Sequence, residues 1–148
     1  MSLGLDVRID TVTRDELPVV SAAEPGTPDD IGGAARRAFE RLESAIPVHG
    51  RKAYGLWDPF SCSYHACYAL VEDDRPEDHG LEREVIPGGR YRRARLKGAE
   101  DVTRIGATFQ ALAKDEALDS ERPWIEFYRR HDEVDLHVPI RAEPGATG

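Results

Sequence analysis

The segment RPWIEFYRR, residues 122–130, places one carboxylate, Glu126, among aromatic and β-branched residues. Segments of this composition form strands, and side chains two positions apart on a strand share a face. Trp124, Glu126 and Tyr128 are therefore expected on one face. A carboxylate between aromatic rings suits a positively charged aromatic compound, because ring faces also attract cations. The alternative is a solvated outer face, on which Glu126 has no binding role.

The other reactive residues form weaker patterns. Cys62, His65 and Cys67 could offer three metal ligands, whereas structural zinc sites commonly use four. On a strand, Cys62 would point away from the other two, so we expect no metal, with Cys67 as a small core residue. The sequence contains no Gly-rich phosphate loop or nucleophile elbow, and we expect no cofactor. The five histidines show no triad spacing, and the sequence does not decide whether any two meet.

Composition limits the classes of partner. The 148 residues suit one domain, and 20 Lys and Arg against 28 Asp and Glu give a net charge of −8. This charge argues against direct nucleic-acid binding, which relies on Lys and Arg, and it favours cationic partners. The alternative is that the net charge only keeps the protein soluble.

No apolar segment approaches the ~20 residues of a membrane span, and the N-terminus lacks signal-peptide features. We expect a cytoplasmic protein with no membrane partner; the oligomeric state stays open.

The most basic segment is RYRRARLK at residues 90–97, in which five Arg or Lys residues surround Tyr91. It is the best candidate in the chain for a nucleic-acid patch. Its basic residues alternate as on a strand, however, and the rest of the chain is acidic. We therefore expect a solvated strand face that forms ion pairs, each worth roughly 0–1 kcal/mol.

Two helices are predicted from apolar spacing, near residues 28–45 and 100–114. The first follows Thr27 as a candidate N-cap and Pro28 at the first helical position. Phe39 and Leu42 in the first helix recur 70 positions later as Phe109 and Leu112.

The flanking strands repeat as well. Aromatic strands at 54–57 and 124–127 keep the offset of 70, as do strands at 64–70 and 134–140, and segments 16–26 and 88–98 match at an offset of 72. Internal duplication is the interpretation we favour, and chance matching of a few residues is the alternative. At the offset of 70, the counterpart of Glu126 is Leu56.

The repeat predicts one α+β domain over residues 1–141. Each half, about residues 5–71 and 80–141, is a strand–strand–helix–strand–strand unit, and the two are related by a pseudo-twofold axis. Together they form an antiparallel sheet with both helices on one face, and a cleft is expected at the seam between the halves. Residues 142–148 are expected to be a disordered tail.

The ordered motifs of the second half resemble the GyrI-like small-molecule-binding domains, which also serve as effector modules of multidrug-sensing transcription regulators. The pattern is a Gly-Gly-x-Tyr strand, a Gly before the helix, a Glu-x-Tyr strand and a Pro followed by an aliphatic residue. These positions are Gly88, Gly89, Tyr91, Gly98, Glu126, Tyr128, Pro139 and Ile140. The resemblance covers about residues 5–141 and is strongest over 85–140. No helix-turn-helix precedes it, so we expect no direct DNA binding.

The resemblance implies broad-specificity binding of hydrophobic, often cationic aromatic compounds, in drug or toxin sensing or sequestration, with Glu126 meeting the cation. The expected ligand contacts are Glu126, Trp124, Tyr54, Tyr68, Tyr91, Tyr128, Phe109, His137 and Leu56. At His137 an aromatic residue is common in the family. Some relatives hydrolyse strained rings, so a hydrolase with Glu126 as general base is the alternative. A structural or partner-binding module with a vestigial pocket is a third interpretation.

Overall fold

The computed structural model describes residues 8–27, 29–97, 102–130 and 133–142. These residues form eight strands and two α-helices in the order β1 (Ile9–Arg14), β2 (Leu17–Pro25), α1 (Ile31–Ala45), β3 (Ala53–Asp58), β4 (Ser63–Ala69), β5 (Glu82–Ile86), β6 (Gly89–Lys97), α2 (Val102–Leu112), β7 (Trp124–Arg130) and β8 (Glu133–Pro139). Pro28, Gly98 and residues 143–148 of the expected tail lie outside the described residues. No helix in the described ranges is long and apolar enough to cross a membrane.

The strands form one antiparallel sheet in the order β1-β6-β8-β7-β3-β4-β2-β5. Helix α1 packs on β2 and β4, and α2 packs on β6 and β8, so both helices cover the same face. The predicted α+β architecture, with two helices on one face of an antiparallel sheet, is confirmed.

Helix α1 starts later than its sequence suggested. It begins at Ile31 with Asp30 as the N-cap, because the Asp30 N–H first donates to the Thr27 carbonyl at 2.9 Å and closes a turn ahead of the helix. The buried residues Ala34, Ala38 and Leu42 recur at a spacing of four and form the face that packs on the sheet.

Two short connections force the sheet to curve. Only two residues join β1 to β2, and two join β5 to β6, although each pair of strands lies in opposite halves of the sheet. The halves must therefore approach each other on the face without helices. The connections touch there, since a Cβ on Gly88 would lie 2.8 Å from the Glu16 nitrogen and 2.9 Å from the Arg14 carbonyl oxygen. Only a glycine lets the two chains cross this closely.

The strand order is symmetric. If β1 to β4 are exchanged with β5 to β8, the same order results, read from the opposite edge of the sheet. Measured between their first residues, β2 and β6 are 72 positions apart, β3 and β7 are 71 apart, and β4 and β8 are 70 apart. The predicted offset of 70 between the halves was thus one residue too short for the central strands β3 and β7. A slip of one residue moves a side chain to the other face of a sheet. Duplication of the unit stays a prediction.

Three arginine side chains of the basic segment in β6 form ion pairs. Arg93 binds Asp10 of β1, Arg95 Nε lies 2.7 Å from the buried Asp135 of β8, and Arg92 Nε lies 2.6 Å from Asp115. The segment therefore ties its two neighbouring strands together, as expected for a strand face that forms ion pairs.

Candidate functional site

A cleft of about 470 Å³ opens between the two helices, above the central strands β3 and β7. Helix α1 packs on β2 and β4 and helix α2 on β6 and β8, and the central strands β3 and β7 remain as the floor of this cleft. Its lining residues are Asp29, Ile31, Gly32, Ala35, Trp57, Pro59, Ile105, Gly106, Phe109, Gln110, Trp124, Glu126 and Tyr128. The volume lies within the range of ligand pockets, about 300–1,000 Å³.

Small residues on the helices keep the cleft open. Gly32 and Ala35 are three positions apart on α1 and line one wall, and Gly106 of α2 lines the other. A Cβ on Gly106 would meet no atom within 4 Å, so the space next to this residue is empty.

Aromatic rings make up most of the floor. Trp57 of β3 lies opposite Trp124 of β7 in the strand pairing, and both side chains are buried. Phe109 of α2 stacks on Trp124 with ring centroids 5.3 Å apart. Tyr128 is held edge-on by Phe39 of α1 at 5.8 Å. The rings pack against each other in fixed positions, so the floor is an apolar surface formed before any ligand arrives.

Glu126 is the charged group of this floor and is 6% exposed. Its Oε1 accepts hydrogen bonds from the Tyr64 hydroxyl at 2.6 Å and the Tyr128 hydroxyl at 2.9 Å. Among the described residues, no Lys, Arg or His nitrogen lies within ion-pair distance of the carboxylate. Burial raises the pKa of Glu126, and the bonds from Tyr64 and Tyr128 oppose that rise. The carboxylate is thus positioned by neutral donors and lacks a described counter-ion.

The two tyrosines act only as donors to Glu126. Burial, followed by the charge of Glu126, raises the pKa of both phenols well above the ordinary value, so both keep their protons. A carboxylate that accepts hydrogen bonds is fixed in orientation without being neutralised. Any further stabilisation of its charge has to come from the cleft.

Gly55 makes room for this arrangement. It lies directly opposite Glu126 in the pairing of β3 with β7. A Cβ at this position would overlap both the Tyr64 hydroxyl and Glu126 Oε1. A glycine inside a strand commonly marks such a close approach. The same signal was present in the segment AYGLWD, residues 53–58, and could have indicated that a side chain crosses over this position.

Four of the predicted site residues line the cleft together: Glu126, Trp124, Tyr128 and Phe109. Tyr68 lies on the same face of the sheet but outside the lining, and its hydroxyl donates to Glu43 of α1 at 2.8 Å. Sequence reasoning missed Trp57, Tyr64 and Gly55. The offset of 71 would have placed Trp57 and Gly55 on the cleft face.

The other four predicted residues do not line the cleft. Tyr54, Leu56, Tyr91 and His137 lie on the face of the sheet without helices, and the first three belong to a separate core cluster there. For Tyr54 and Leu56 the cause is the one-residue register error, since Tyr54 pairs with Phe127 and stacks on it. Placing Tyr91 and His137 in the cleft was also wrong. Alternate residues of a strand face opposite sides of the sheet, and these two belong to the set that faces away from the helices.

His137 is part of the packed core on the sheet face without helices. It is fully buried, its ring packs edge-on against Tyr91, and its Nε2 accepts a hydrogen bond from Arg14 at 2.8 Å. Burial, followed by the charge of Arg14, lowers the pKa of His137 to about 3. The residue is therefore a neutral core histidine at ordinary pH and has no access to the cleft.

A second depression, of about 550 Å³, lies along α1. Its wall is polar and carries Arg37 and Arg41, which both pair with Glu24. These charges already have partners, so this depression lacks the unbalanced carboxylate found in the cleft.

Over the described residues, fold and site together define an α+β domain of two α-helices and eight strands, whose cleft combines aromatic rings with a buried acid. The sequence matches no protein-family model. No curated protein matches it in sequence either.

Solved structures share this fold at low sequence identity. An integron cassette protein from the mobile metagenome of Vibrio cholerae has a TM-score of 0.68 and 12% identity over 92% of this chain and 99% of its own. The C-terminal domain of EcmrR has a TM-score of 0.64 and 14% identity over 94% and 100%. The protein SAV2435, solved bound to tetraphenylphosphonium, has 0.62 and 12% over 91% and 94%. A hydrolase from Listeria innocua has 0.57 and 11% over 90% and 92%. At these identities the likeness is one of fold.

Proposed function

We propose that this protein belongs among the GyrI-like domains and binds hydrophobic, cationic aromatic compounds in the cleft between its helices. The observation that carries the proposal is Glu126, a buried carboxylate with no described counter-ion on an aromatic floor. An isolated buried charge is costly. A delocalised cation would remove that cost and would bring its own apolar surface.

The surroundings of Glu126 suit such a ligand. Trp57 and Trp124 provide ring faces, each worth roughly 0.5–2 kcal/mol to a cation depending on desolvation. Gly32, Ala35 and Gly106 present no polar side chain to the cleft, and they leave room for a bulky apolar ligand. The net charge of −8 raises the local concentration of cations. SAV2435, of the same fold, has been solved with a lipophilic cation bound.

The role that follows is sensing or sequestration of drugs or toxins. In this proposal the protein acts in the cytoplasm, contacts neither DNA nor a membrane directly, and needs no cofactor. Its partner is the small molecule itself.

Two probes of nearly the same shape test the proposal. Methyltriphenylphosphonium carries a positive charge, and triphenylphosphine oxide is neutral. We expect the cation to bind with at least about tenfold higher affinity, which corresponds to 1.4 kcal/mol. Quenching of Trp fluorescence measures both affinities, because Trp57 and Trp124 lie in the floor. Equal affinities would contradict a cation-binding role, and no binding of either probe would favour a vestigial pocket.

Binding of the cation should depend on pH. Burial raises the pKa of Glu126, and a cation is stabilised by the ionised form alone. Affinity should therefore be full above the raised pKa and should fall as the pH decreases through it. Titration of methyltriphenylphosphonium, whose charge does not change with pH, measures the effect. An affinity that stays constant down to the ordinary pKa range of a glutamate would show that Glu126 is not the group that senses the cation.

A hydrolase is the second candidate, because a buried carboxylate with a raised pKa also suits a general base. The solved Listeria innocua hydrolase has the same fold. Incubation with a panel of strained-ring and related electrophiles, followed by mass spectrometry, separates the two candidates. Product beyond one equivalent of protein that requires Glu126 would favour the hydrolase. Recovery of intact compounds favours binding alone.

A further inference from the structure

A second group of reactive side chains lies on the sheet face without helices, away from the cleft. His65 of β4 has its Nδ1 2.6 Å from Glu84 Oε2 of β5 and its Nε2 3.0 Å from Ser63 Oγ. Ser21 of β2 also donates to Glu84 Oε2. The side chains of His65 and Glu84 are 30% and 27% exposed, so a small molecule can reach them from solvent.

The protons of this group can be assigned from its chemistry. Burial alone would raise the pKa of Glu84, but the hydrogen bonds from His65 and Ser21 outweigh it and lower the pKa, so Glu84 is ionised. An ionised carboxylate only accepts hydrogen bonds, so the proton of neutral His65 is on Nδ1. Its Nε2 lone pair then faces Ser63, whose hydroxyl donates to it. The order serine, histidine, carboxylate is that of a catalytic triad.

The strands hold this order in place. Ser63 and His65 are two positions apart on β4 and therefore share a face. Ser21 lies on β2 between β4 and β5 and fixes the carboxylate of Glu84 from a third strand. Sequence spacing alone did not indicate the arrangement, because Glu84 comes from the second half of the chain.

We propose that Ser63, His65 and Glu84 form a second site that takes an acyl group from activated esters. Ser63 Oγ bonds to the acyl carbon while its proton moves to His65 Nε2. The bond from the acyl carbon to the leaving oxygen then breaks, and the proton passes to that oxygen. Water adds to the acyl carbon with His65 again taking the proton, Ser63 Oγ leaves with that proton, and the carboxylic acid is released. Ser63 and His65 are the catalytic residues, and Glu84 positions His65.

The surroundings limit the substrates to neutral or cationic esters with good leaving groups. Asp58 lies opposite Ser63 in the strand pairing, so with Glu84 two carboxylates disfavour an anionic ester. The N–H groups of Phe60, Ser61 and Cys62 are already bonded to Asp58, so this described hairpin offers no ready oxyanion hole. Without one, amides should not react.

Hydrolysis of p-nitrophenyl acetate by the full-length protein tests the site. We expect release of nitrophenolate with an acetyl group on the peptide that contains Ser63. Ser63→Ala and His65→Gln should each lower the rate at least about tenfold, since general-base catalysis contributes 10²–10⁴. Ser61→Ala, on the same hairpin but without a described histidine bond, should keep the wild-type rate. An undiminished rate in Ser63→Ala, or acetyl groups on other residues only, would overturn the proposal.

The pH dependence of the hydrolysis rate distinguishes a positioning role of Glu84 toward His65 from a merely structural role. The groups that face His65 are Glu84 from β5, Asp58 from β3, the uncharged Ser21 from β2 and Ser63 on β4 itself; the nearby Cys67 stays a neutral thiol. The hydrogen bond to Glu84 raises the pKa of His65, and the reaction needs the neutral ring. The rate should rise with pH through a midpoint above the ordinary histidine value. Glu84→Gln should move that midpoint down; an unmoved midpoint would show that Glu84 does not act through His65.

Discussion

Glu126→Gln is expected to weaken methyltriphenylphosphonium binding by tenfold or more and to leave triphenylphosphine oxide nearly unchanged. Glutamine keeps the size of the side chain, and its carbonyl oxygen can still accept from Tyr64 and Tyr128. Only the charge is lost. Removing one partner of a buried charge pair costs roughly 2–5 kcal/mol, and a delocalised cation in an open cleft should lie near the low end. Fluorescence titration of both variants with both probes measures the difference.

Asp29→Asn is the matched control, because Asp29 carries the same charge at the exposed rim of the cleft. A solvated carboxylate interacts weakly with a nearby cation, so this variant should change affinity by a few-fold at most. The pH dependence of binding should disappear in Glu126→Gln and persist in Asp29→Asn. Equal losses for the cationic and neutral probes in Glu126→Gln would mean that Glu126 acts through the shape of the cleft.

Gly55→Ala should lower the free energy of unfolding by about 1–3 kcal/mol, the usual range for overpacking a filled interior. The new methyl group would overlap the Tyr64 hydroxyl and Glu126 Oε1. Relief requires breaking the hydrogen bonds that orient Glu126 or moving β3 away from β7. Cation affinity should therefore fall together with stability. Urea denaturation and probe titration measure the two effects.

Gly106→Ala should have the opposite effect on the free energy of unfolding. Gly106 lies within α2, and its added methyl group would meet empty space. Alanine is favoured over glycine inside a helix by roughly 0.5–1 kcal/mol, so Gly106→Ala should stabilise the protein. If Gly55→Ala proved as stable as wild type with unchanged cation affinity, the close approach of Glu126 to β3 would not matter for the site.

Sequence patterns located the elements well because their signals are local. Alternation along residues 124–128 placed Trp124, Glu126 and Tyr128 on one face, and the structure confirms this. Apolar spacing found both helices, apart from the start of α1, which a turn at Thr27 delays. The first strand of each half, β1 and β5, was not located, since both are short edge strands with charged residues.

The site was harder to predict because it depends on register between strands. One residue of error in the central strands exchanged Trp57 and Gly55 for Tyr54 and Leu56. Local composition cannot detect this, since both faces of β3 are apolar. The contact between His65 and Glu84 depends on how β5 returns to the sheet beside β2. Such contacts are set by topology, which a short segment of sequence does not encode.

The crossed connections near Gly88 have a consequence for how the chain folds. The edge strand of each half pairs with the other half: β1 with β6, and β5 with β2. Ile9, the first residue of β1, pairs with Ala94, which lies 85 positions later in the chain. Contacts so distant in sequence slow folding, because the intervening chain must be ordered before they form. Neither half can complete its own sheet, so the two halves act as one cooperative unit. A half-length chain would have to take its missing strand from a second copy of itself.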